Sequence, residues 1–167
     1  MAKQHNIENF LKTGARFFKK SDVIFIGFGN PYRSDDGFGI EAVKRLKESS
    51  FPDSITEFDG IDALILDLCA DKKSGLIIFL DTSDFGGEPG ELRVFSPEQV
   101  EDFDQSHKVP LKLYMNLLKN AGYRTYLIAV QPETLENIQE PRLSEKVDRA
   151  IKYLVSLAGV YFNQIGF

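Results

Sequence analysis

The chain has 167 residues, of which 43% are hydrophobic and 27% charged, with 20 Lys+Arg against 25 Asp+Glu for a net charge of −5; that is one domain able to bury a core without a staple. A single cysteine, Cys69, and two histidines, His5 and His107, exclude a disulfide framework, a multi-Cys zinc site, an HExxH pair and a three-His site, and suit a reducing cytoplasm. The acidic balance speaks against a nucleic-acid partner, and the apolar runs are too short for membrane insertion.

The first twenty residues carry five basic residues (Lys3, Lys12, Arg16, Lys19, Lys20) and one acid, Glu8, among apolar Ile7, Phe10, Leu11, Phe17 and Phe18. The charges interrupt any secretory apolar region, and the pattern predicts a short amphipathic helix packed on the domain. We therefore expect an N-terminal extension over 1–22, the domain proper over 23–160 and a tail over 161–167. The run VIFIG at 23–27 reads as a buried strand ending at glycines. Ile40, Val43 and Leu46 then recur at helical spacing. A second strand is expected over 55–58 and a helix over 62–70, where Cys69 falls inside an apolar pattern that favours inert packing. LIIFL at 76–80 is the clearest strand, followed by a Gly/Pro loop over 86–90 and an edge-like alternation, ELRVF, at 91–95. Ser96-Pro97-Glu98 opens a short helical turn, and Pro110 starts a helix carrying Leu111, Tyr114, Met115 and Leu118. A strand over 126–130 and a helix through Leu143, Val147, Ala150, Ile151 and Leu154 complete the chain.

Strand and helix alternate throughout, which predicts a single three-layer α/β/α domain with a mostly parallel sheet and helices on both faces. In such sheets ligands bind at the carboxyl edge of the strands, so the polar residues just after each strand are the candidates. After the first strand, Gly27 and Gly29 suggest a dinucleotide loop, but the third glycine of GxGxxG would fall at Tyr32. Asp35 and Asp36 also occupy the helix entrance where a phosphate needs positive potential. Asp35 and Asp36 read either as a helix entrance, with Ser34 or Asp35 capping the following helix and both acids suiting its dipole, or as members of a cluster with Asp59, Asp81 and the Gln131-Pro132-Glu133 stretch. Gathered carboxylates require a cation or a shared proton. His107 is the one imidazole in the body of the domain and could complete such a cluster for a borderline transition metal; its bland alternative is a solvated loop residue beside Glu98, Glu101, Asp102 and Asp104. Asp59 and Asp62 likewise have turn and cap readings.

GFGNPYRSDDGFG, the strand-ending Asp81 in LIIFLD, Ser106-His107 before a helix, and Val130-Gln131-Pro132-Glu133 together resemble the hydrogenase maturation endopeptidases, over about 23–157. The resemblance implies a protease that removes a C-terminal peptide from the nickel-loaded precursor of a NiFe-hydrogenase large subunit. It implies that Asp36, Asp81 and His107 bind the metal and carry the reaction, with nickel supplied by the precursor. The metal either polarises the scissile carbonyl or activates water, or a carboxylate acts as general base while nickel serves recognition alone. Two departures stand out. Asp59-Gly60-Ile61-Asp62 replaces an Asp-Gly-Gly-Thr stretch, adding bulk and charge near the substrate channel, and Asp36 stands where some relatives have Glu. The rival readings are a non-proteolytic metal-sensing assembly factor and a nucleotide-binding domain using Gly27 and Gly29.

Overall fold

The structure, a computed structural model, describes residues 5–100 and 111–163. Five strands, β1 (Val23–Gly27), β2 (Ile55–Thr56), β3 (Leu76–Thr82), β4 (Leu92–Phe95) and β5 (Arg124–Val130), form one sheet in the order β2-β1-β3-β5-β4. All neighbours are parallel except β4, which runs antiparallel to β5 at the edge. Six helices are described: α1 (His5–Phe17), α2 (Phe38–Ser49), α3 (Ile61–Asp71), α4 (Pro97–Val100), α5 (Leu111–Asn120) and α6 (Glu145–Asn163).

The two helical layers follow from the strand alternation. Phe25, Ile78, Leu80, Ile128 and Val130 face a cluster built with Ile7 and Leu11 of α1, Val43 and Leu46 of α2, and Ile151 and Leu154 of α6. Ile26, Ile77, Phe79, Leu127 and Ala129 face the opposite cluster with Ile65 of α3, Val100 of α4 and Met115 and Leu118 of α5. Every residue of β3 is buried, which is why its sequence runs apolar without alternation from Leu76 to Leu80 before ending in the buried polar Asp81 and Thr82. The expected α/β/α architecture is the observed one.

Helix α1 buries Ile7, Leu11 and Ala15, places Phe10 edge-on to Tyr126 at 4.8 Å, and accepts a hydrogen bond from Tyr161 Oη at Glu8, 2.6 Å. It covers the β4–β5 side of the sheet. The second strand is shorter than the expected 55–58, ending at Thr56, because Asp59 folds back onto it. The registers Gly27↔Leu80 and Thr82↔Val130 bring the carboxyl ends of β1, β3 and β5 to one edge. A Cβ on Gly39 would lie 2.3 Å from the Phe28 carbonyl oxygen and 2.4 Å from that of Leu80, so only glycine lets the first turn of α2 rest on that edge. Among the described residues no helix is long and apolar enough to cross a membrane.

Candidate active site

The loop after β1 closes on itself. Gly29 has φ +139°, and a Cβ there would sit 1.9 Å from the Asp36 carbonyl oxygen. The Asn30 amide donates both to that carbonyl oxygen, at 3.1 Å, and to Asp36 Oδ2, at 3.2 Å. Between them Pro31–Gly37 forms 3-10 turns broken at Arg33 and Ser34. Ser34 has φ 54° and ψ −121°, a conformation that costs a non-glycine residue on the order of 1–3 kcal/mol and persists only where the surroundings enforce it. Here its Oγ donates to the Glu136 carbonyl at 2.7 Å.

The kink separates the two acids. Asp35 is fully buried and its carboxylate accepts from the amides of Glu133 (2.8 Å), Thr134 (3.1 Å) and Ser144 (2.7 Å) and from Ser144 Oγ (2.8 Å). It ties the segment after β5 and the entrance of α6 to the loop. The expectation that Ser34 or Asp35 caps α2 is corrected: the N-cap of α2 is Gly37, with no side-chain cap bond. The Gln131-Pro132-Glu133 stretch is equally architectural. Gln131 Oε1 accepts from the Phe85 and Gly87 amides, and its Nε2 donates to Asp84 Oδ1, each at 3.0 Å. Glu133 reaches Lys146 at 3.4 Å.

Asp36 and Asp81 are 6% and 8% exposed and belong to separate elements at the carboxyl edge. Burial pushes the Asp81 carboxyl up from 3.8 to about 7; the Thr82 amide opposes the rise, and the charges of Asp36 and Glu57 add to it. Asp81 Oδ1 accepts from that Thr82 amide at 2.8 Å. Glu57 is the residue that sequence reasoning passed over. It directly follows β2 and accepts from the Gly29 amide at 2.9 Å, so it stands where Asp59 was expected. Asp59 instead takes the Thr56 amide and hydroxyl, both at 2.9 Å, and these bonds hold its carboxyl below the usual range. Asp62 accepts from Tyr114 Oη on α5; burial, with the Asp62 bond, pushes the Tyr114 phenol up to about 12.

His107 lies outside the described residues. Among those described, no three His, Cys, Asp or Glu side chains stand together as a metal-binding group. Asp36 and Asp81 therefore offer a buried pair of carboxylates that needs a further ligand to hold a cation. The same pair puts negative charge where a nucleotide phosphate would have to sit against the loop of Gly27 and Gly29, which disfavours phosphate binding.

The family model for hydrogenase maturation proteases matches residues 40–159. The chain belongs to that family. A Methanocaldococcus jannaschii protein named among the hydrogenase maturation proteases is 31% identical over 147 residues, covering 83% of this chain and 95% of its own. The hydrogenase expression/formation protein HupD of Rhodobacter capsulatus is 31% identical over 147 residues, 80% of this chain and 70% of its own. The crystal structure of the NiFe hydrogenase maturation protease HycI of Thermococcus kodakarensis superposes with a TM-score of 0.75 at 25% identity, over 92% of this chain and 99% of that one. The hydrogenase maturation protease described here is thus of the peptidase class, and its α/β fold is the fold of the solved family members.

Proposed function

We propose that this hydrogenase maturation protease removes a C-terminal peptide from the nickel-loaded precursor of a NiFe-hydrogenase large subunit, in the cytoplasm, recognising the precursor's nickel through Asp36, Asp81 and His107. The observation that carries the reading is the Asp36–Asp81 pair. Two carboxyl groups are buried at one sheet edge, and the charge of Asp36 adds to the burial cost of ionising Asp81, so an arriving cation is favoured. Two carboxylate oxygens and one imidazole form a donor set suited to a borderline metal such as nickel, whereas a hard cation would prefer oxygen alone. Nickel is cargo of the substrate in this reading, which couples cutting to completed metal insertion.

Hydrolysis breaks the scissile C–N bond, adds water's hydroxyl to the carbonyl carbon and delivers a proton to the leaving amine. Covalent catalysis by Cys69 has no support, since that thiol is half-buried on α3 and packed against the core cluster. The test is incubation of nickel-loaded precursor with the purified protein, followed by mass spectrometry of the precursor. Loss of a C-terminal peptide is expected, with nickel-free precursor untouched. An unchanged mass with binding intact would replace the endopeptidase by a metal-sensing assembly factor.

A further inference from the structure

The outer side of α3 and α5 carries large apolar side chains beyond those the core uses. Leu66 is 68% exposed, Leu113 55% and Leu117 41%, and Phe58, in the turn that leads into α3, is 70% exposed. Leu113 and Leu117, four residues apart, share one side of α5. The bond from Tyr114 Oη to Asp62 marks the crease between the two helices; Leu66 lies one turn beyond Asp62 on α3, and Leu113 and Leu117 both fall on the one side of Tyr114 that α5 does not give to the core. Helix α3 already gives Ile61 and Ile65 to the core, with Leu64 and Leu68 resting on the same cluster. A helix that is apolar on a second side buries that side against another surface.

Charge identifies the kind of surface. Residues 48–71 contain seven Asp and Glu and no Lys or Arg, with Lys47 and Lys72-Lys73 at the two ends of the stretch; Asp59, Asp62 and Asp67 are exposed, and Lys47 acts on Asp59, which leaves Asp62 and Asp67 on α3 as the acids beside the leucines. The lysines of α5 do not neutralise them, because Lys112 Nζ donates to the Pro97 carbonyl and Lys119 Nζ pairs with Glu98, each at 2.6 Å on the α4 side. The face also begins next to the site along the chain: Glu57 is fixed to Gly29 at 2.9 Å, and the following residue, the exposed Phe58, leads into α3.

We propose that the α3–α5 face docks a basic, apolar surface of the large-subunit precursor, one presenting aliphatic side chains ringed by Lys or Arg, beside the segment to be cut. The identity of the partner rests on the endopeptidase reading; the face itself rests on exposure, helix geometry and charge. Apolar contact supplies affinity, and the acidic rim supplies steering and selects against an acidic partner.

The experiment compares the wild-type protein with Leu66→Arg, Leu117→Arg and Asp67→Lys, using nickel-loaded precursor and following both its binding and the mass of its C-terminus. All three positions are exposed, so thermal melting is expected to match wild type. Each leucine variant should raise KM about tenfold or more with kcat unchanged, in keeping with a lost apolar contact. Wild-type KM should rise with salt, and Asp67→Lys should flatten that dependence. Unaltered KM in both leucine variants overturns the docking face while leaving the endopeptidase intact. Binding without cleavage by wild type, abolished in the variants, removes the endopeptidase and supports the face. A wild-type dimer that Leu66→Arg converts to monomer at unchanged KM assigns the face to a second copy of this chain and overturns the proposal.

Discussion

The amide and the hydroxyl of Ser144 both donate to the carboxylate of Asp35, at 2.7 and 2.8 Å, across 109 positions of sequence. With the amides of Glu133 and Thr134 on the same carboxylate, Asp35 fastens the start of α6 and the segment after β5 against the loop that presents Asp36. Asp35→Asn removes the charge and turns an amide NH2 toward groups that are themselves donors. Charge-assisted bonds in a buried setting are worth more than neutral ones, and an unmatched donor keeps its desolvation cost. The expected loss is roughly 3 kcal/mol or more, read as a lower urea midpoint. A midpoint equal to wild type would show that the carboxylate is not the tie.

Asp81 carries a pH dependence of the opposite kind to that of a salt-bridged acid. Its carboxyl is raised from 3.8 to about 7, chiefly by burial, so the native state holds the proton more tightly than the unfolded chain does. Native stability from this group is therefore full below about pH 4 and is lost as pH rises toward 7. Asp81→Asn keeps an oxygen for the Thr82 amide and removes the charge. In metal-free protein it should melt higher than wild type at pH 8, by an amount bounded near 4 kcal/mol, and should match wild type at pH 4. Calorimetry at the two pH values decides it; a variant less stable at pH 8 contradicts the burial cost.

Strands β1, β3 and β5 were readable because strands covered on both faces must be continuously apolar, and α2, α5 and α6 because their core-facing residues recur at helical spacing. The end of β2 was not, since Ile55 to Phe58 has the same strand-like composition whether the strand continues or Asp59 captures Thr56. That two-residue error hid Glu57 behind Asp59. Asp35 and Asp36 are neighbours with one chemistry, and a helix-cap reading gives both the same role. The backbone at Ser34, φ 54°, turns them to different tasks, and no local pattern announces such a kink in a non-glycine residue.

Gln131 should control the loop after β3 without controlling the fold. Its side-chain oxygen receives the Phe85 and Gly87 amides and its nitrogen serves Asp84. That last bond, with the Gly86 amide, keeps the Asp84 carboxyl below the usual carboxylate range. Gln131→Leu should accelerate exchange of the Phe85 and Gly87 amides about tenfold or more while amides of β3 and β5 stay protected. It should also move Asp84 back toward the ordinary value in an NMR titration. Equal exchange in wild type and variant would mean that the loop is held by other contacts.

The proposed nickel site makes a demand that separates the two histidines. Asp36 and Asp81 can offset a cation's charge, but the described residues bring no third ligand to them, and a borderline metal gains most from adding imidazole nitrogen to carboxylate oxygen. His107→Ala should therefore abolish nickel-dependent capture of the precursor, and His5→Ala should leave it intact, in a pull-down with nickel-loaded and nickel-free precursor. Wild-type capture should weaken as pH falls below roughly 6.5, since a protonated imidazole cannot coordinate. Asp81, whose carboxyl is raised to about 7, takes up its proton over the same range, so capture should fall toward the His107→Ala level as pH drops. If the His107→Ala and His5→Ala variants behave alike, His107 is not a ligand, and the two buried carboxylates must take their third donor from the precursor itself.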